Sequence, residues 1–358
     1  MTPERYDYLI VGQGLAGSIL AYQLLHLDKK VLVIDYVNPN SSSRVAAGLV
    51  NPITGRRIVK SWLADTIIPF AYQFYKSLGD EYQTNFFIHQ DTLEVITETQ
   101  QVNEWTQRME DPSLAMYFNR EPVTASDYRD KIKDFKKLIR ISNSGWMDIP
   151  KFLDIYRNAL MKSNSLLEES LNVSQLTITG DEIKYGNIYA NRIIFCEGIQ
   201  STSNKYWKHI PFLPAKGEIL TISCPDFSEK FILVAGIFLI PIGDSKFRVG
   251  STYEWKFTDG LPTEAGKQKL IAQLETFLKI PFTIVDHRAG IRPTMKDRRP
   301  VMGSHPEHKN MYVFNGMGTK GVVLAPYFAD HFINYLEGKS ELLGEVDVNR
   351  FSSLYPAE

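Results

Sequence analysis

The chain has 358 residues, 44% of them hydrophobic and 23% charged, which is the make-up of a globular protein long enough for two domains. With 40 basic residues against 41 acidic ones the formal net charge is −1, so no overall field draws the protein to nucleic acid or to an anionic membrane. Two cysteines, Cys196 and Cys224, exclude a large disulfide framework and a cysteine-built metal site, and we expect a reducing, cytoplasmic location. No apolar run reaches the roughly 18 residues of a membrane helix, and the charged amino-terminal residues predict no export signal.

The first elements along the chain predict a β-α-β unit. Residues 6–11 form a short apolar run, residues 15–27 carry apolar side chains at helical spacing, and residues 31–34 are a second, β-branched run. The following stretch, residues 41–55, is rich in Ser, Ala and Gly. Such small residues favour close approach of the backbone to a ligand.

The middle of the chain changes character twice. Residues 91–146 are polar and mixed, with a helical pattern at residues 99–110 and a basic run at residues 131–140. We expect them to form a segment inserted outside the nucleotide fold. The α/β character then returns with a helix at residues 149–160 and a strand at residues 188–195.

Alternating patterns between residues 211 and 290 predict an antiparallel sheet, with strands at residues 218–223, 238–242 and 246–251. A strand at residues 311–315, a glycine-rich loop and a helix from about residue 322 to 336 follow. The whole pattern predicts an α/β protein in which a Rossmann-like dinucleotide-binding domain is intertwined with a second domain built on an antiparallel β-sheet with helices. The expected boundaries give residues 1–90, 147–210 and 291–358 to the first domain and residues 91–146 and 211–290 to the second, substrate-binding domain.

The segment Gly12-Gln13-Gly14-Leu15-Ala16-Gly17 matches the dinucleotide fingerprint G-x-G-x-x-G, between a predicted strand and a predicted helix. The first glycine permits a tight turn, the second lets the backbone reach a pyrophosphate, and the third lets helix and strand pack closely. Asp35, 23 positions after Gly12, would bind ribose hydroxyls and disfavour a 2′-phosphate, so FAD or NAD fits better than NADP. A glycine-rich turn without a ligand is the alternative.

Several later motifs resemble the D-amino-acid oxidase family of FAD-dependent oxidoreductases, which includes glycine oxidase and sarcosine oxidase. Residues 42–50, SSRVAAGLV, are similar to the family's second flavin-contacting segment, and residues 214–218 and 249–254 are similar to its hairpin signatures. The segments Gly290-Ile291-Arg292-Pro293-Thr294 and 316–321 complete the match. The resemblance runs nearly end to end.

This resemblance implies FAD, bound non-covalently because no cysteine stands near Ile291, where sarcosine oxidase tethers its flavin. Ser43 and Arg44 would donate to anionic oxygens, while Ala47 and Gly48 would leave room for the ring. Val173 would hold the adenine through its backbone, and Glu197 departs from the family pattern. The cofactor-binding residues expected from both arguments are Gly12, Gly14, Leu15, Ala16, Gly17, Asp35, Ser42, Ser43, Arg44, Ala47, Gly48, Val173, Cys196, Gly198, Gly316, Gly318, Thr319 and Gly321.

Two cationic residues are the expected catalytic residues, and we expect no metal site. In relatives, the Arg of Gly-x-Arg-Pro binds the substrate carboxylate, a task that suits the planar fork of a guanidinium. Arg292 has that position here; the alternative is an ordinary ion pair with an acid such as Asp297. Lys320, beside the start of the last helix, would help to stabilise the anionic reduced flavin, or it is a solvated loop lysine.

The expected function is oxidation of the C–N bond of a small amine or amino acid carrying a carboxylate, of the glycine, sarcosine or D-amino acid type, by hydride transfer to flavin. Dioxygen or another acceptor would reoxidise the flavin. One alternative is a tRNA-modifying FAD amine oxidase acting on a uridine side-chain carboxymethylamine; others are an NAD-dependent dehydrogenase and a non-catalytic flavin-binding protein. In the tRNA-modifying alternative, RNA would contact three basic clusters: Arg56-Arg57-Lys60, residues 131–140 and Lys296-Arg298-Arg299. The net charge of −1 favours ordinary solvent-exposed surface for these clusters, so we expect no nucleic acid partner.

Overall fold

The computed structural model describes residues 4–54, 58–180 and 182–355. The chain divides into two compact units, the first made of Met1–Arg44, Ile149–Ala215 and Ile291–Glu358 and the second of Val45–Asp148 and Lys216–Gly290. Among the described residues the strands are β1 (Glu4–Val11), β2 (Val31–Ile34), β3 (Leu49–Val50), β4 (Ile53–Thr54), β5 (Val59–Lys60), β6 (Phe87–His89), β7 (Thr92–Ile96), β8 (Lys137–Ile141), β9 (Gly145–Met147), β10 (Leu166–Leu167), β11 (Leu176–Thr179), β12 (Glu182–Tyr185), β13 (Ile188–Phe195), β14 (Ala215–Ser223), β15 (Ile232–Val234), β16 (Phe238–Gly243), β17 (Lys246–Gly250), β18 (Thr283–Arg292), β19 (Val301–Ser304) and β20 (Met311–Asn315). The α-helices are α1 (Leu15–Leu25), α2 (Ser42–Val45), α3 (Ala64–Glu81), α4 (Thr99–Met109), α5 (Ser126–Arg129), α6 (Ile149–Lys162), α7 (Glu264–Phe277) and α8 (Gly321–Leu336).

The first unit is built on a sheet with the strand order β10-β2-β1-β13-β12-β11, in which β20 also pairs with β13 and β19 pairs with β20. Strands β10, β2, β1, β13 and β20 run parallel to one another. All four residues of β2 are buried, as in parallel sheets that are covered on both faces. Helices α1 and α8 lie together, and the side-chain amide of Gln23 donates to the carbonyl of Pro326 over 3.0 Å.

The second unit is built on a seven-stranded sheet with the order β18-β14-β17-β16-β15-β7-β8. Strands β14, β17 and β16 are antiparallel neighbours, whereas β15 pairs with β7 in parallel. Leu270 and Leu274 of α7 are fully buried in the core of this sheet, together with Leu220 and Phe247. The predicted fold class, a Rossmann-like α/β domain and a second domain of sheet and helices, is confirmed.

The unit boundaries differ from the expected domain boundaries by a few residues at 147–148 and 211–215. The larger difference is at residues 45–90, which we had assigned to the nucleotide-binding domain. In the structure they belong to the second unit, because β3 and β6 both pair with β9. These strands have two or three residues each, too short to show an alternating pattern of their own. Within the described part of the chain, no helix combines the length and apolar composition that crossing a membrane requires.

Candidate functional site

The carboxyl ends of the parallel strands of the first unit define one edge of its sheet, called the carboxyl edge here. Gly12 follows β1, Asp35 follows β2, Cys196 follows β13 and Gly316 follows β20. Because these strands are parallel neighbours, the four positions lie along the same edge. Open α/β sheets bind their ligands in the crevice outside this edge. Most of the residues singled out in the sequence are therefore brought to one place.

The turn between β1 and α1 requires glycine at two positions. Gly12 has a φ of +102°, and a Cβ there would lie 2.7 Å from the carbonyl oxygen of Cys196. A Cβ on Gly17 would lie 1.9 Å from the carbonyl oxygen of Gly12, so the helix can pack against this turn only without a side chain. Both glycines have the roles that the fingerprint gives them.

The start of α1 has the properties of an anion site. Gly14, its N-cap residue, has no side chain to cap the helix, and the first turn contains no acidic residue that would offset the positive end of the helix. The backbone N–H of Leu15 donates to the hydroxyl of Ser43 over 3.0 Å. Ser42 and Ser43 open the short helix α2, which brings this hydroxyl to the helix end. The backbone donors and the absence of a side chain fit a pyrophosphate.

Asp35 is held at the carboxyl edge by a network that the sequence did not reveal. One carboxylate oxygen accepts the N–H of Gln13 at 2.8 Å, and the other pairs with Arg157 of α6 at 2.9 Å. Arg157 is buried and also binds the side-chain oxygen of Gln13 (3.1 Å) and Glu168 (2.8 Å). Each carboxylate oxygen keeps a further lone pair, so Asp35 can still accept hydrogen bonds from ribose hydroxyls.

Arg44 has a protein partner in the structure. Its guanidinium lies 2.7 Å from the carboxylate of Asp154 on α6. A guanidinium has five N–H donors, and one such ion pair leaves others for an anion. Its expected role at the cofactor remains a prediction.

The loop after β13 contains an acid where the family pattern has a neutral residue. Burial raises the pKa of Glu197 to about 7, and the side chain accepts a hydrogen bond from Asn204 at 2.8 Å. Cys196 is bonded to β1 through its N–H, which donates to the carbonyl of Val11. Burial, then the charge of Glu197, raises the pKa of the Cys196 thiol well above its usual range, so the thiol stays protonated. Gly198 opens the short 3-10 helix that follows.

The loop after β20 is tied to the loop after β13 by Asn315, a residue we had not assigned to the site. Its amide nitrogen donates to the carbonyl of Gly198 and to the hydroxyl of Ser201, both over 2.8 Å, and its oxygen accepts the N–H of Gly316. The loop ends where α8 begins. A Cβ on Gly321 would lie 3.4 Å from Leu15, so the amino ends of α1 and α8 are neighbours and both point toward the carboxyl edge.

Arg292 ends β18 and is half-buried beside this same loop. Its carbonyl accepts the N–H of Thr294, and Thr294 lies 3.9 Å from the Cβ position of Gly318. Asp297, the acid that could have been a simple partner for Arg292, pairs with Arg350 at 2.9 Å. The structure therefore places the Arg-Pro-Thr segment against the Gly316–Lys320 turn.

Lys320 is the N-cap residue of α8 and is half-buried. Burial, then the positive charges of Arg298 and Arg299, lowers its pKa to about 8. A fully solvated loop lysine would not lose basicity in this way. Thr319, the residue before it, is exposed.

Three of the expected cofactor residues have other surroundings. Ala47 and Gly48 belong to the second unit, where Ala47 packs in a cluster with Trp146 and a Cβ on Gly48 would lie 2.0 Å from the carbonyl oxygen of Met147. Backbone packing thus explains this glycine without a ligand. Val173 opens a 3-10 helix ahead of β11. The cofactor roles of these three residues stay predictions.

The family model for FAD-dependent oxidoreductases matches residues 7–334. The chain belongs to this family. This FAD-dependent oxidoreductase is 24% identical to a glycine oxidase of Pseudomonas putida, over 94% of this chain and 95% of that protein. It is 20% identical to a tRNA 5-methylaminomethyl-2-thiouridine biosynthesis bifunctional protein of Idiomarina loihiensis, over 97% of this chain but 59% of that protein. The solved structure of iminodiacetate oxidase from Chelativorans sp. has the same fold, with a TM-score of 0.75 at 19% identity over 94% of this chain and 97% of that one.

The resemblance found in the sequence is confirmed, and with it the expectation that this oxidoreductase is an FAD enzyme. The residues at the carboxyl edge fit FAD. The turn after β1 is built of glycine at Gly12, the first turn of α1 contains no acid, and Asp35 after the neighbouring strand β2 is held by a hydrogen bond. The acid follows the second strand of the unit, as in other dinucleotide folds. Arg157 binds Asp35, and Asn315 ties the loop after β20 to the loop after β13.

Proposed function

We propose that this FAD-dependent oxidoreductase oxidises the C–N bond of a small amine or amino acid that carries a carboxylate, such as glycine, sarcosine or a D-amino acid. The observation that supports it most is the half-buried Arg292, whose following residues pack against the loop that begins α8. A guanidinium there offers a carboxylate two parallel charge-assisted hydrogen bonds. The similarity to a glycine oxidase over nearly the whole of both chains agrees with it.

The residues that would hold FAD follow from the carboxyl edge. Backbone N–H groups at Gly14 and Ala16 would face the pyrophosphate, with the hydroxyl of Ser43, which accepts the N–H of Leu15, beside them. Asp35 would accept hydrogen bonds from the ribose hydroxyls. FAD, when bound, supplies the acceptor for the hydride that leaves the substrate carbon. We propose that it is bound without a covalent link, because Cys196 and Cys224 are the only cysteines and both are buried.

The electrostatics of the proposed site favour an anion. Lys320 and the amino end of α8 put positive charge at the loop, and Arg298 and Arg299 are close enough to lower the pKa of Lys320. An amine with a carboxylate would be drawn in and oriented by these groups, whereas an amine without one would form no ion pair with Arg292. We propose dioxygen or another small acceptor as the oxidant of the reduced enzyme, and the cytoplasm as its location.

The direct test is the visible spectrum of the purified protein during anaerobic mixing with glycine, sarcosine, proline, D-alanine and iminodiacetate. We expect flavin absorbance that at least one of these amines bleaches. Glycinamide, which lacks the carboxylate, should fail to bleach it. A flavin that dithionite reduces and no amine reduces would contradict the proposal and indicate a non-catalytic flavin-binding protein.

The role of Arg292 can be tested separately from the identity of the amine. In Arg292→Ala the substrate carboxylate loses its partner, and we expect kcat/KM to fall by about 100-fold or more, with partial recovery in Arg292→Lys. Arg288→Ala, four residues earlier on β18 and exposed, is the matched control and should keep the wild-type constants. Equal constants for Arg292→Ala and wild type would exclude carboxylate anchoring at this residue.

A second candidate is oxidation of a carboxymethylamine on a tRNA uridine, supported by the similarity to the bifunctional tRNA-modifying protein. Each of the basic clusters that would bind RNA contains a cation that is paired with a carboxylate where the structure describes it. Lys60 pairs with Asp65, Arg140 with Asp91 and Glu121, and Arg299 with Glu345. Arg56 and Arg57 lie outside the described residues.

These pairings favour the small-molecule substrate, because local carboxylates compete with phosphate groups for the same cations. Titration with tRNA at two salt concentrations distinguishes the candidates. A phosphate-binding surface gives affinity that falls steeply as salt rises, and for this chain we expect no specific binding at low salt. Strong, salt-dependent binding would favour the RNA substrate instead.

A further inference from the structure

The loop between β19 and β20 gathers three side chains that can bind a metal ion. One ligand atom from each of His305, Glu307 and His308 lies within 4.8 Å of the other two. The loop is closed by two backbone bonds, from the N–H of His305 to the carbonyl of Met311 (2.7 Å) and from the N–H of Met311 to the carbonyl of His308 (2.9 Å). We had expected no metal site in this chain.

We propose that His305, Glu307 and His308 bind one divalent transition-metal ion, with zinc as the best match. Two imidazole nitrogens and one carboxylate oxygen form a donor set that zinc accepts, with one position left for water. Zinc–nitrogen and zinc–oxygen bonds of about 2.1 Å would place tetrahedral ligand atoms about 3.4 Å apart. The loop would therefore have to tighten by a little more than 1 Å, as a surface loop can.

His305 is held as metal-binding histidines usually are. Its ring is buried, Trp207 packs edge-on against it at 5.2 Å, and its Nε2 lies 3.5 Å from the hydroxyl of Tyr355. Its Nδ1 accepts the N–H of Glu307 at 3.2 Å, so this nitrogen is unprotonated and an ion bound there would replace that hydrogen bond. In a metal-bound histidine, one ring nitrogen usually binds the metal and the other is hydrogen-bonded to a neighbouring group.

The other two ligands are more accessible than His305. Glu307 is exposed and can turn its carboxylate toward the ion, and His308 is partly exposed beside it.

The location indicates a structural ion and not a catalytic one. The three residues lie before the amino end of β20, whereas the candidate flavin site follows its carboxyl end at Asn315. Five strand residues separate the two ends by about 13 Å. Through Tyr355, which follows the last 3-10 helix, His305 also contacts the carboxyl-terminal segment. An ion here would stabilise the first unit and leave flavin reduction unchanged.

The test is calorimetric titration of zinc chloride into the full-length, FAD-loaded protein after treatment with a chelator. We expect one zinc ion per chain and a higher Tm in its presence. Glu307→Gln and His308→Gln should each weaken zinc binding at least tenfold. Both side chains are partly or fully exposed, so these variants should fold; buried His305 is left intact. Glu341→Gln, an exposed change of the same charge, is the control and should bind zinc as the wild type does.

Two results would overturn the proposal. The first is no binding and no change in Tm up to a zinc concentration of about 1 mM, at which a specific zinc site would be occupied. The second is zinc binding that survives in both Glu307→Gln and His308→Gln, which would place the ion elsewhere on the surface. Because flavin bleaching by amines is measured without zinc, either result leaves the proposed oxidase activity untouched.

Discussion

At the scale of single residues, Gly17 sets the approach of α1 to the turn at Gly12. Gly17→Ala would place a Cβ 1.9 Å from the carbonyl oxygen of Gly12, so the helix start must move away from the pyrophosphate site. We expect the ratio of flavin to protein absorbance in the purified variant to fall at least tenfold. Gly344→Ala, where a Cβ meets no atom within 4 Å, should keep full occupancy. Full flavin content in Gly17→Ala would mean that FAD does not bind at this turn.

Lys320 gives the proposed site a titratable charge. Its pKa of about 8 means that the side chain is a cation at pH 7 and becomes neutral as the pH rises through about 8. If this charge assists flavin reduction, the reduction rate should fall above pH 8 in the wild type. Lys320→Arg should move that fall to higher pH, because a guanidinium stays charged, and Lys320→Met should be slow at every pH. Identical pH profiles for the three proteins would exclude the role.

Residues with a local sequence signal were predictable and those held by distant partners were not. The glycines of the fingerprint and Asp35 follow from a short motif whose spacing is set by one strand and one helix. Arg157 and Asn315 gave no such signal, because their partners Asp35 and Gly198 lie more than 100 positions away in the chain. Only folding brings these pairs together. Their role was therefore missed.

At the scale of elements, the start of α7 depends on a buried acid. Thr263, its N-cap residue, accepts the N–H of Gly266 at 3.0 Å and donates its hydroxyl to Glu218 at 2.8 Å. Glu218 is fully buried and also binds the N–H of Thr263, His287 and Lys216. Burial alone would raise the pKa of Glu218, but these hydrogen bonds and the charge of Lys216 lower it below its usual value. The carboxylate thus stays ionised in the core.

Removing the Thr263 side chain should lower the free energy of unfolding by more than the loss of an N-cap does on an exposed helix. In Thr263→Ala both the cap and one donor to a buried carboxylate are lost, and we expect the free energy of unfolding to fall by about 2 kcal/mol. Thr263→Ser keeps both bonds and should lose less than half of that. Urea unfolding followed by circular dichroism measures the difference. Equal losses in the two variants would show that the methyl packing of Thr263, and not its hydroxyl, stabilises the helix.

A helix or strand could be predicted where the periodicity of its apolar residues is visible within its own stretch of sequence. Helices α1, α4, α6 and α8 were predicted close to their observed bounds because their apolar residues recur at helical spacing. Helix α7 was missed, since its buried residues, Leu270, Leu274 and Phe277, form a narrow stripe among polar ones. The two-residue strands were missed because only their partners define them.

At the scale of the whole molecule, each unit is assembled from separate segments of chain. The chain passes between the units after Arg44, after Asp148, after Ala215 and after Gly290. A half-buried acid with a raised pKa lies in each unit, Glu197 in the first and Glu94 in the second. Both bind a proton more tightly when folded than when unfolded, so both lower the stability of the protein as the pH rises.

Of these two acids, Glu94 has the more strongly raised pKa. It lies in β7 between Val234 of β15 and Ile139 of β8, and burial raises its pKa from 4.5 to about 8. Between those two pH values the folded state holds a proton that the unfolded state has released, so stability falls across that window and is constant outside it. Glu94→Gln cannot ionise and avoids this loss. We expect it to unfold like the wild type at pH 4.5 and to be more stable by on the order of 2 kcal/mol at pH 8.5.

Urea unfolding at the two pH values measures both predictions. Glu341→Gln is the exposed control, and its difference from the wild type should be the same at both pH values. A constant difference between Glu94→Gln and the wild type at both pH values would mean that packing, not ionisation, separates them. A difference that grows with pH would show that the folded sheet keeps the carboxyl group of Glu94 protonated at neutral pH. The contribution of Glu94 to the free energy of unfolding is then greatest at low pH and is lost as the pH rises toward about 8, because partial burial disfavours the charged form.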